Sequence, residues 1–214
     1  MQNIIYIAPN MNVEFNFYNN IYQQLTKRSC DSRTCELLNA VSEIFIEFYN
    51  QKEPPSSCVI ALAANSGASF SASAASALNC ITDQHLLLDE IACFIEDNYM
   101  NSASSVLSKY PRVPGFGHPS IKNKDPRVEF LLTEFIDLHG PRTSFCLYLD
   151  QSLPVELNIG CAIACLLLDS GIPKDSILYF PLVGRLFGWL KIFKETNQNF
   201  KKVVPSNKLL LHDK

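Results

Sequence analysis

The stretch Y-P-R-V-P-G-F-G-H-P-S-I-K-N-K-D-P-R, residues Tyr110–Arg127, carries the strongest chemical signal in this sequence. Two glycines and three prolines frame its first half, which runs to residue 119. Because proline fixes φ and glycine permits positive φ, this pattern predicts a stiff loop with a defined path. Such a loop presents His118 from a fixed backbone, and rigid loops commonly carry catalytic imidazoles. A lone histidine is more often structural, but the Gly/Pro frame favours a functional role here.

The second half of the stretch is basic. Lys122, Lys124 and Arg127 follow His118 within nine residues. Asp125-Pro126 has the composition of a helix N-cap followed by the first helical position. Arg127 would then lie in the first helical turn, beside backbone N–H groups that already favour anions. The stretch therefore predicts an anion-binding cluster next to the loop.

Four sequence segments resemble the citrate synthase family. P-G-F-G-H at 114–118 and D-P-R at 125–127 match both halves of a family motif at the family's spacing. L-L-L-D-S-G-I-P at 166–173 is similar to a family segment that ends in L-G-I-P. F-P-L-V-G-R-L-F-G-W at 180–189 is similar to F-x-x-S-R-x-x-G-W, with glycine in place of serine at position 184.

The resemblance covers about residues 57–202. It implies an all-α, citrate synthase-like helical fold with a truncated large domain plus a small domain. We expect residues 1–57 to be an N-terminal helical remnant of the large domain and 58–175 to be the small-domain-like, ligand-carrying part. Residues 176–214 would form a C-terminal helix and a basic tail. The family is dimeric, so the resemblance also implies a homodimer or a heterodimer.

The resemblance implies a set of site residues. In the family, an aspartate removes a proton from the methyl group of an acyl-CoA, and a first histidine stabilises the enol. A second histidine activates the carbonyl of a 2-oxo acid, and arginines clamp the carboxylates, a task that suits the guanidinium fork. His118 matches the second histidine, as a catalytic residue. Arg127 and Arg185 match two carboxylate clamps, and Lys122 matches a basic residue that faces the CoA phosphates.

Two of the three reacting groups have no match. The family's N-V-D appears here as Asn158-Ile159-Gly160, and glycine cannot take a proton. Glu156, one helical turn earlier, is a possible displaced base. The family's L-H-G-G-A-N element falls near an Asn-Ser-Gly segment, where Ser66 stands in place of the first histidine. Because loss of a base or of an enol stabiliser costs about 10²–10⁴-fold in rate, turnover is uncertain.

Three functions remain open at this level. In the first, the protein is an acyltransferase of the citrate synthase type, condensing an acyl-CoA with a 2-oxo acid or cleaving a citryl-CoA-type thioester. Alternatively, it is a non-catalytic pseudoenzyme that binds the carboxylate or the CoA ester, or it is a hetero-oligomeric partner of a full-length homologue. The short chain favours the last two, whereas the surviving ligand residues favour the first two. Small carboxylates and a coenzyme A thioester, as substrate, are the expected ligands.

Composition limits the alternatives. The chain has 214 residues, of which 47% are apolar and 18% charged, with a net charge of −3. These values are typical of a globular protein and argue against nucleic acid as a main partner. No window of 18 uninterrupted apolar residues predicts a membrane span, and the N-terminal apolar run lacks the features of a signal peptide. No glycine-rich nucleotide loop or H-E-x-x-H motif is present.

The eight cysteines fit a reducing compartment. Most lie in apolar helical patterns, where a thiol acts as a small hydrophobe, and we expect a cytoplasmic location. Cys30 and Cys35 form a C-x4-C pair without two further ligands at metal-site spacing, so no metal is expected.

Hydrophobic periodicity predicts helices along most of the chain. The predicted helical segments are 13–25, 35–49, 86–99, 126–139, 154–170 and 181–195. An alanine- and serine-rich segment at 58–80 predicts either close packing in the core or the wall of a ligand pocket, and residues 1–10 suggest a short strand or an extended arm.

Overall fold

The structure, a computed structural model, describes residues 17–46, 55–80, 87–117 and 124–203, with the backbone alone at 55 and 198–203. In these residues the fold is all-α, as predicted. Outside the helices, one isolated antiparallel bridge joins Phe116 to Leu157. The helices are α1 Phe17–Thr26, α2 Ser32–Ile44, α3 Pro55–Asn65, α4 Phe70–Asn79, α5 Leu88–Asn98, α6 Ala103–Lys109, α7 Pro126–Glu134, α8 Pro141–Ser152, α9 Ile159–Asp169 and α10 Tyr179–Val203.

Helix α9 is the centre of the larger hydrophobic core. Its sequence is apolar on every face, and a helix of that kind is stable only when surrounded by other elements. All residues from Ile159 to Leu168 are buried. Helices α5, α7 and α8 pack around it. The predicted buried helix at 154–170 is therefore confirmed from residue 159 onward, and the residues before it run outside the helix.

A second core forms where α10 crosses α3 and α4. Ile60, Ala74, Ala77 and Trp189 are its buried members. Small side chains let α3 and α4 approach closely, as predicted for the segment at 58–80, but much of its outer surface is exposed, including Cys58 and Leu62.

The apolar stripe predicted for the second helix is also confirmed. Leu37, Leu38 and Val41 are fully buried, and Phe45 is 2% exposed. Helix α2 ends at Ile44, however, earlier than the predicted residue 49, and 47–49 lie outside the described residues. The strand or extended arm predicted for residues 1–10 and the tail from 204 also lie outside them.

The prediction for residues 126–152 was partly wrong. We predicted a single helix to His139, ended by Gly140 and Pro141. Instead α7 stops at Glu134, and a 3₁₀ turn covers Ile136–Leu138. Gly140 is the N-cap of α8, and Pro141 occupies its first turn. Proline suits the first turn of a helix as well as it stops one, so the residue alone did not decide between the two outcomes.

The C-terminal helix is longer than predicted. It extends from Tyr179 to Val203 and packs against α2, α3 and α4. By length and average composition alone, residues Lys174–Asn197 are sufficient to cross a bilayer, although no uninterrupted apolar window predicted a span. Core helices of water-soluble proteins meet the same criterion, and Trp189 on this helix is fully buried in the second core.

Candidate functional site

The predicted stiff loop is present up to residue 117. Gly115 and Gly117 have φ of +87° and +78°, a region that side chains rarely adopt. Phe116 between them is 7% exposed and anchors the loop in the larger core. A Cβ atom on Gly115 would lie 2.8 Å from the Cβ of Cys161 on α9. Both backbone angle and space therefore require glycine at 115.

The segment before α9 holds this loop by its backbone. The Gly117 N–H donates to the carbonyl of Glu156 at 2.8 Å. The Asn158 N–H donates to the carbonyl of Gly115 at 2.9 Å. The Asn158 side-chain amide adds a bond to the carbonyl of Gly117 at 3.0 Å. Three hydrogen bonds thus fix the chain immediately before His118.

His118 and Lys122 lie outside the described residues. Their assignments as catalytic residue and as CoA-phosphate ligand stay predictions from the resemblance. The structure does describe both ends of the gap, at Gly117 and at Lys124.

Arg127 occupies the predicted position in the first turn of α7. Asp125 is the N-cap and accepts from the Arg127 N–H at 3.0 Å, and Pro126 begins the helix, as predicted. The Asp125 carboxylate also accepts from Nε of Arg127 at 3.0 Å and from Nη2 at 2.6 Å. The two side chains are 6% and 18% exposed. This pair fixes the Arg127 guanidinium against the end of its own helix.

Arg185 projects from α10 toward the same region. Its guanidinium carbon lies 5.1 Å from the ring centroid of Phe45, which follows α2. Burial, together with the nearby positive charge of Arg127, lowers the pKa of Arg185 to about 10. The two predicted carboxylate clamps, from distant parts of the sequence, are therefore close enough to repel each other.

Two hydrocarbon side chains and the Asn158 amide oxygen, 3.2 Å from a Cβ atom built on Gly160, lie around the position where the resembling family carries its catalytic base. Gly160 lies in the first turn of α9 and is buried. A Cβ atom at this position would lie 3.0 Å from Cδ1 of Ile91 and 3.7 Å from Cδ2 of Leu88. The space into which an aspartate would extend is therefore occupied by two side chains of α5. The glycine that stands in place of the base is therefore also the residue that fits the packing at this position.

The two alternative reacting groups are on the surface. Glu156 is exposed, and its backbone carbonyl accepts the Gly117 N–H. Ser66 is exposed between α3 and α4, where its hydroxyl donates to the carbonyl of Leu62 at 2.9 Å. Neither observation gives these residues a catalytic contact.

Sequence reasoning missed two neighbours of the arginines. The first is the carboxylate of Asp125, which we assigned only as a helix cap. An acid two positions before an arginine at a helix N-terminus is a signal that could have indicated the pair. The second is Phe45, and no local signal connects it to Arg185, because the contact depends on the packing of α2 against α10.

Two surface clefts open among the described residues. The larger, about 490 Å³, is lined by Glu96, Asp97, Arg142 and Lys174 with neighbouring apolar residues. The smaller, about 370 Å³, lies along one face of α10. Neither is lined by Arg127 or Arg185. Over the described part of the chain, no three histidine, cysteine or acidic side chains are grouped to hold a metal ion.

Comparison with known proteins finds similarity to solved structures alone. No protein-family model and no curated protein matches this sequence. The fold is similar to citryl-CoA lyase from Hydrogenobacter thermophilus, with a TM-score of 0.78 and 20% identity over 94% of this chain and 85% of that chain. It is also similar to an aspartate-to-alanine mutant of ATP citrate lyase from Methanosaeta concilii in complex with (3S)-citryl-CoA. That match has a TM-score of 0.72 and 16% identity, over 92% of this chain and 37% of that chain.

A third similar structure is citrate synthase from Pyrobaculum aerophilum. Its TM-score is 0.67 at 18% identity, over 85% of this chain and 50% of that chain. The chain thus spans most of the citryl-CoA lyase but about half of this citrate synthase. These structures show that the fold is citrate synthase-like, as the sequence motifs indicated.

Proposed function

We propose that this protein binds a 2-oxo acid or tricarboxylate between Arg127 and Arg185, next to His118, with a CoA thioester near Lys122. The observation that carries the proposal is that α7 and α10, the helices of Arg127 and Arg185, both pack against α2, which brings the two positive charges into one region. Arg127 is already paired with Asp125, but Arg185 is penalised by burial and by the charge of Arg127, and a ligand carboxylate beside both would offset that penalty. A molecule with several carboxylates satisfies both guanidinium groups with paired hydrogen bonds.

Residue 160, where the resembling family carries the base for condensation, is a glycine in this sequence. Removal of a proton from an acyl-CoA methyl group requires a positioned acceptor, and residue 160 is a glycine packed against Ile91 and Leu88. Binding does not require that base. The ATP citrate lyase with an aspartate replaced by alanine is in complex with (3S)-citryl-CoA, so a protein of this fold that lacks one aspartate still holds a large ligand. We therefore propose binding without condensation.

A second candidate is cleavage of a citryl-CoA-type thioester. The observation in its favour is the 85% coverage of the citryl-CoA lyase chain, because a short chain then no longer argues against turnover. In the cleavage direction, His118 would take the proton of the substrate hydroxyl, and the carbon–carbon bond would break to give the 2-oxo acid. The acyl-CoA enolate would then take a proton from water rather than from an aspartate.

Calorimetric titration with citrate, oxaloacetate and CoA, each alone, tests the main proposal. We expect wild-type protein to bind at least one carboxylate, and Arg127→Lys and Arg185→Lys to bind it about tenfold more weakly, since lysine lacks the guanidinium fork. Arg28→Ala removes an exposed arginine on the surface and serves as the matched control. Wild-type protein that binds none of the three ligands would overturn the proposal.

The release of oxaloacetate and acetyl-CoA from citryl-CoA, with the thioester bond intact, separates the two candidates. A binding protein gives no release above the uncatalysed rate. A lyase gives release that Arg28→Ala retains and His118→Ala abolishes.

A further inference from the structure

We propose that Asn158 is a positioning residue that locks the loop before His118 to the buried helix α9. This inference rests on the proposed function, because it names the group that keeps the ligand site in place. Asn158 does not enter the proposed contacts with the ligand. It acts through the backbone of the neighbouring loop.

The side chain of Asn158 uses both ends of its amide. Its Oδ1 accepts from the N–H of Cys161 at 3.1 Å and so caps α9. Its Nδ2 donates to the carbonyl of Gly117 at 3.0 Å. Its backbone N–H donates to the carbonyl of Gly115. One residue therefore joins a helix N-terminus to both glycine carbonyls of the loop.

The surroundings make this connection stiff. Helix α9 is buried along its length, so its N-terminus is a fixed point of the core. The residue before Asn158, Leu157, is 5% exposed, and its N–H donates to the Asp150 carboxylate at 2.6 Å. Glycines in the loop lower its own resistance to bending, since glycine has the most backbone freedom to lose. The bonds from Asn158 supply the restraint that the two glycines lack.

Capping and loop holding make different chemical demands. Capping needs only an oxygen acceptor, and aspartate or serine performs it as well as asparagine. Holding the Gly117 carbonyl needs a donor at the end of the side chain. Asn158→Asp keeps the acceptor and puts a carboxylate oxygen against the carbonyl, where it repels. This substitution separates the positioning role from the capping role without a change in size.

The test combines stability, binding and hydrogen exchange. For Asn158→Asp we expect a melting temperature within about 3 °C of wild type, because the cap persists. We expect citrate, or whichever carboxylate the wild type binds, to bind about tenfold more weakly. We also expect the Gly117 amide to exchange about tenfold faster, whereas the Cys161 amide, still capped, exchanges as in wild type. Asn20→Asp, on an exposed face of α1, controls for the added charge.

The outcomes are distinct. An Asn158→Asp variant with wild-type affinity and wild-type exchange at Gly117 overturns the inference and leaves the proposed function intact. Wild-type protein that binds no carboxylate overturns the proposed function, and the positioning role in binding with it. If the aspartate variant does not fold, Asn158→Ser retains a capping oxygen but is too short for Gly117, and the same expectations apply to it.

Discussion

The two arginines of the proposed site have opposite effects on the free energy of unfolding. Arg127 neutralises Asp125, a side chain that is only 6% exposed. Arg185 is penalised by burial and by the charge of Arg127. We therefore predict that Arg127→Met lowers the free energy of unfolding by about 3 kcal/mol, since it leaves a buried carboxylate without its cation. We predict that Arg185→Met raises it by about 1 kcal/mol, less than the pKa shift alone suggests, because the contact with the Phe45 ring is lost.

Urea unfolding at pH 7 without ligand measures both changes. The pH dependence gives a check on the cause. The pKa of Arg185 is lower in the folded protein than in the unfolded chain, so the unfolded chain binds more protons above about pH 10. Wild-type stability should therefore gain relative to Arg185→Met as the pH rises through this value. Equal losses of stability in the two methionine variants would contradict the prediction.

Gly160 stands where the resembling family carries its base, and the packing around this residue is tight. A Cβ atom there would lie 3.0 Å from Cδ1 of Ile91, closer than side chains normally pack. We predict that Gly160→Ala is about 1 kcal/mol more favourable in an Ile91→Val background, which lacks that methyl group, than in wild type. A double-mutant cycle of urea unfolding free energies measures this coupling. If the two substitutions are additive, Ile91 does not occupy the space of the missing base.

At the scale of single elements, the N-terminus of α8 depends on a carboxylate from another helix. Asp169, with a side chain 1% exposed, accepts from the backbone N–H groups of Gly140, Arg142 and Thr143 at 2.8–3.1 Å. We predict that Asp169→Asn destabilises the protein by about 2 kcal/mol, because an amide offers one acceptor where three donors are aligned. Asp175→Asn, on the surface, should change stability by less than about 0.5 kcal/mol. Thermal unfolding of both variants is the measurement, and similar values for the two would refute the assignment.

The same contact explains why α8 was not predicted. A helix start is recognised from a capping residue near it in the sequence, and Gly140-Pro141 offers no side-chain cap. The cap comes from position 169, at the end of the buried helix α9. By contrast, the start of α7 was predictable, since its cap and its proline are adjacent at 125 and 126. Local capping chemistry is readable from sequence, whereas capping across the fold is not.

The contact between α2 and α10 explains the glycine at position 184, where the family that this sequence resembles has serine. A Cβ atom on Gly184 would lie 1.7 Å from the carbonyl oxygen of Ser42, and one on Gly188 would lie 2.5 Å from that of Ile46. The Ser42 hydroxyl is also 3.0 Å from the carbonyl of Phe180, across the same contact. The two helices therefore approach until backbone meets backbone, and no side chain fits between them.

We accordingly predict that Gly184→Ser, the change toward the family residue, destabilises the protein by more than about 3 kcal/mol. The displaced α10 should also move Arg185 from the ring of Phe45. Lys194→Ala, at an exposed position of the same helix, is the matched control and should be nearly neutral. Urea unfolding of the two variants, with carboxylate titration of any folded Gly184→Ser protein, tests both parts. A stable serine variant would show that α2 and α10 are not in such close contact.

For the whole molecule, sequence motifs predicted more than periodicity did. Periodicity located most helices but could not say that α2 would lie against α10, or that α3 and α4 would share a core with Trp189. The proximity of Arg127 to Arg185 was expected only from the resemblance, because nothing local connects the two positions. Asp125 belongs to the D-P-R motif itself, whereas the contact of Arg185 with Phe45 follows from packing that motifs do not encode. The fold was therefore easier to predict than the packing of its helices.

At the scale of the whole molecule, a ligand bound at the proposed site should raise the free energy of unfolding. An anion that joins Arg127 to Arg185 offsets the burial and the repulsion that together lower the pKa of Arg185, and it binds only when the helices that carry the two arginines are assembled. A ligand at 100 times its Kd adds about 2.7 kcal/mol to the free energy of unfolding. For a chain of 214 residues, this raises the melting temperature by about 5–10 °C. We predict such a rise with citrate or oxaloacetate. Arg28→Ala should retain it, and Arg185→Met should lose it although that variant is more stable without ligand. A rise of equal size in Arg185→Met would mean that the ligand binds elsewhere, because a more stable apo protein without the second guanidinium has no means to respond at this site.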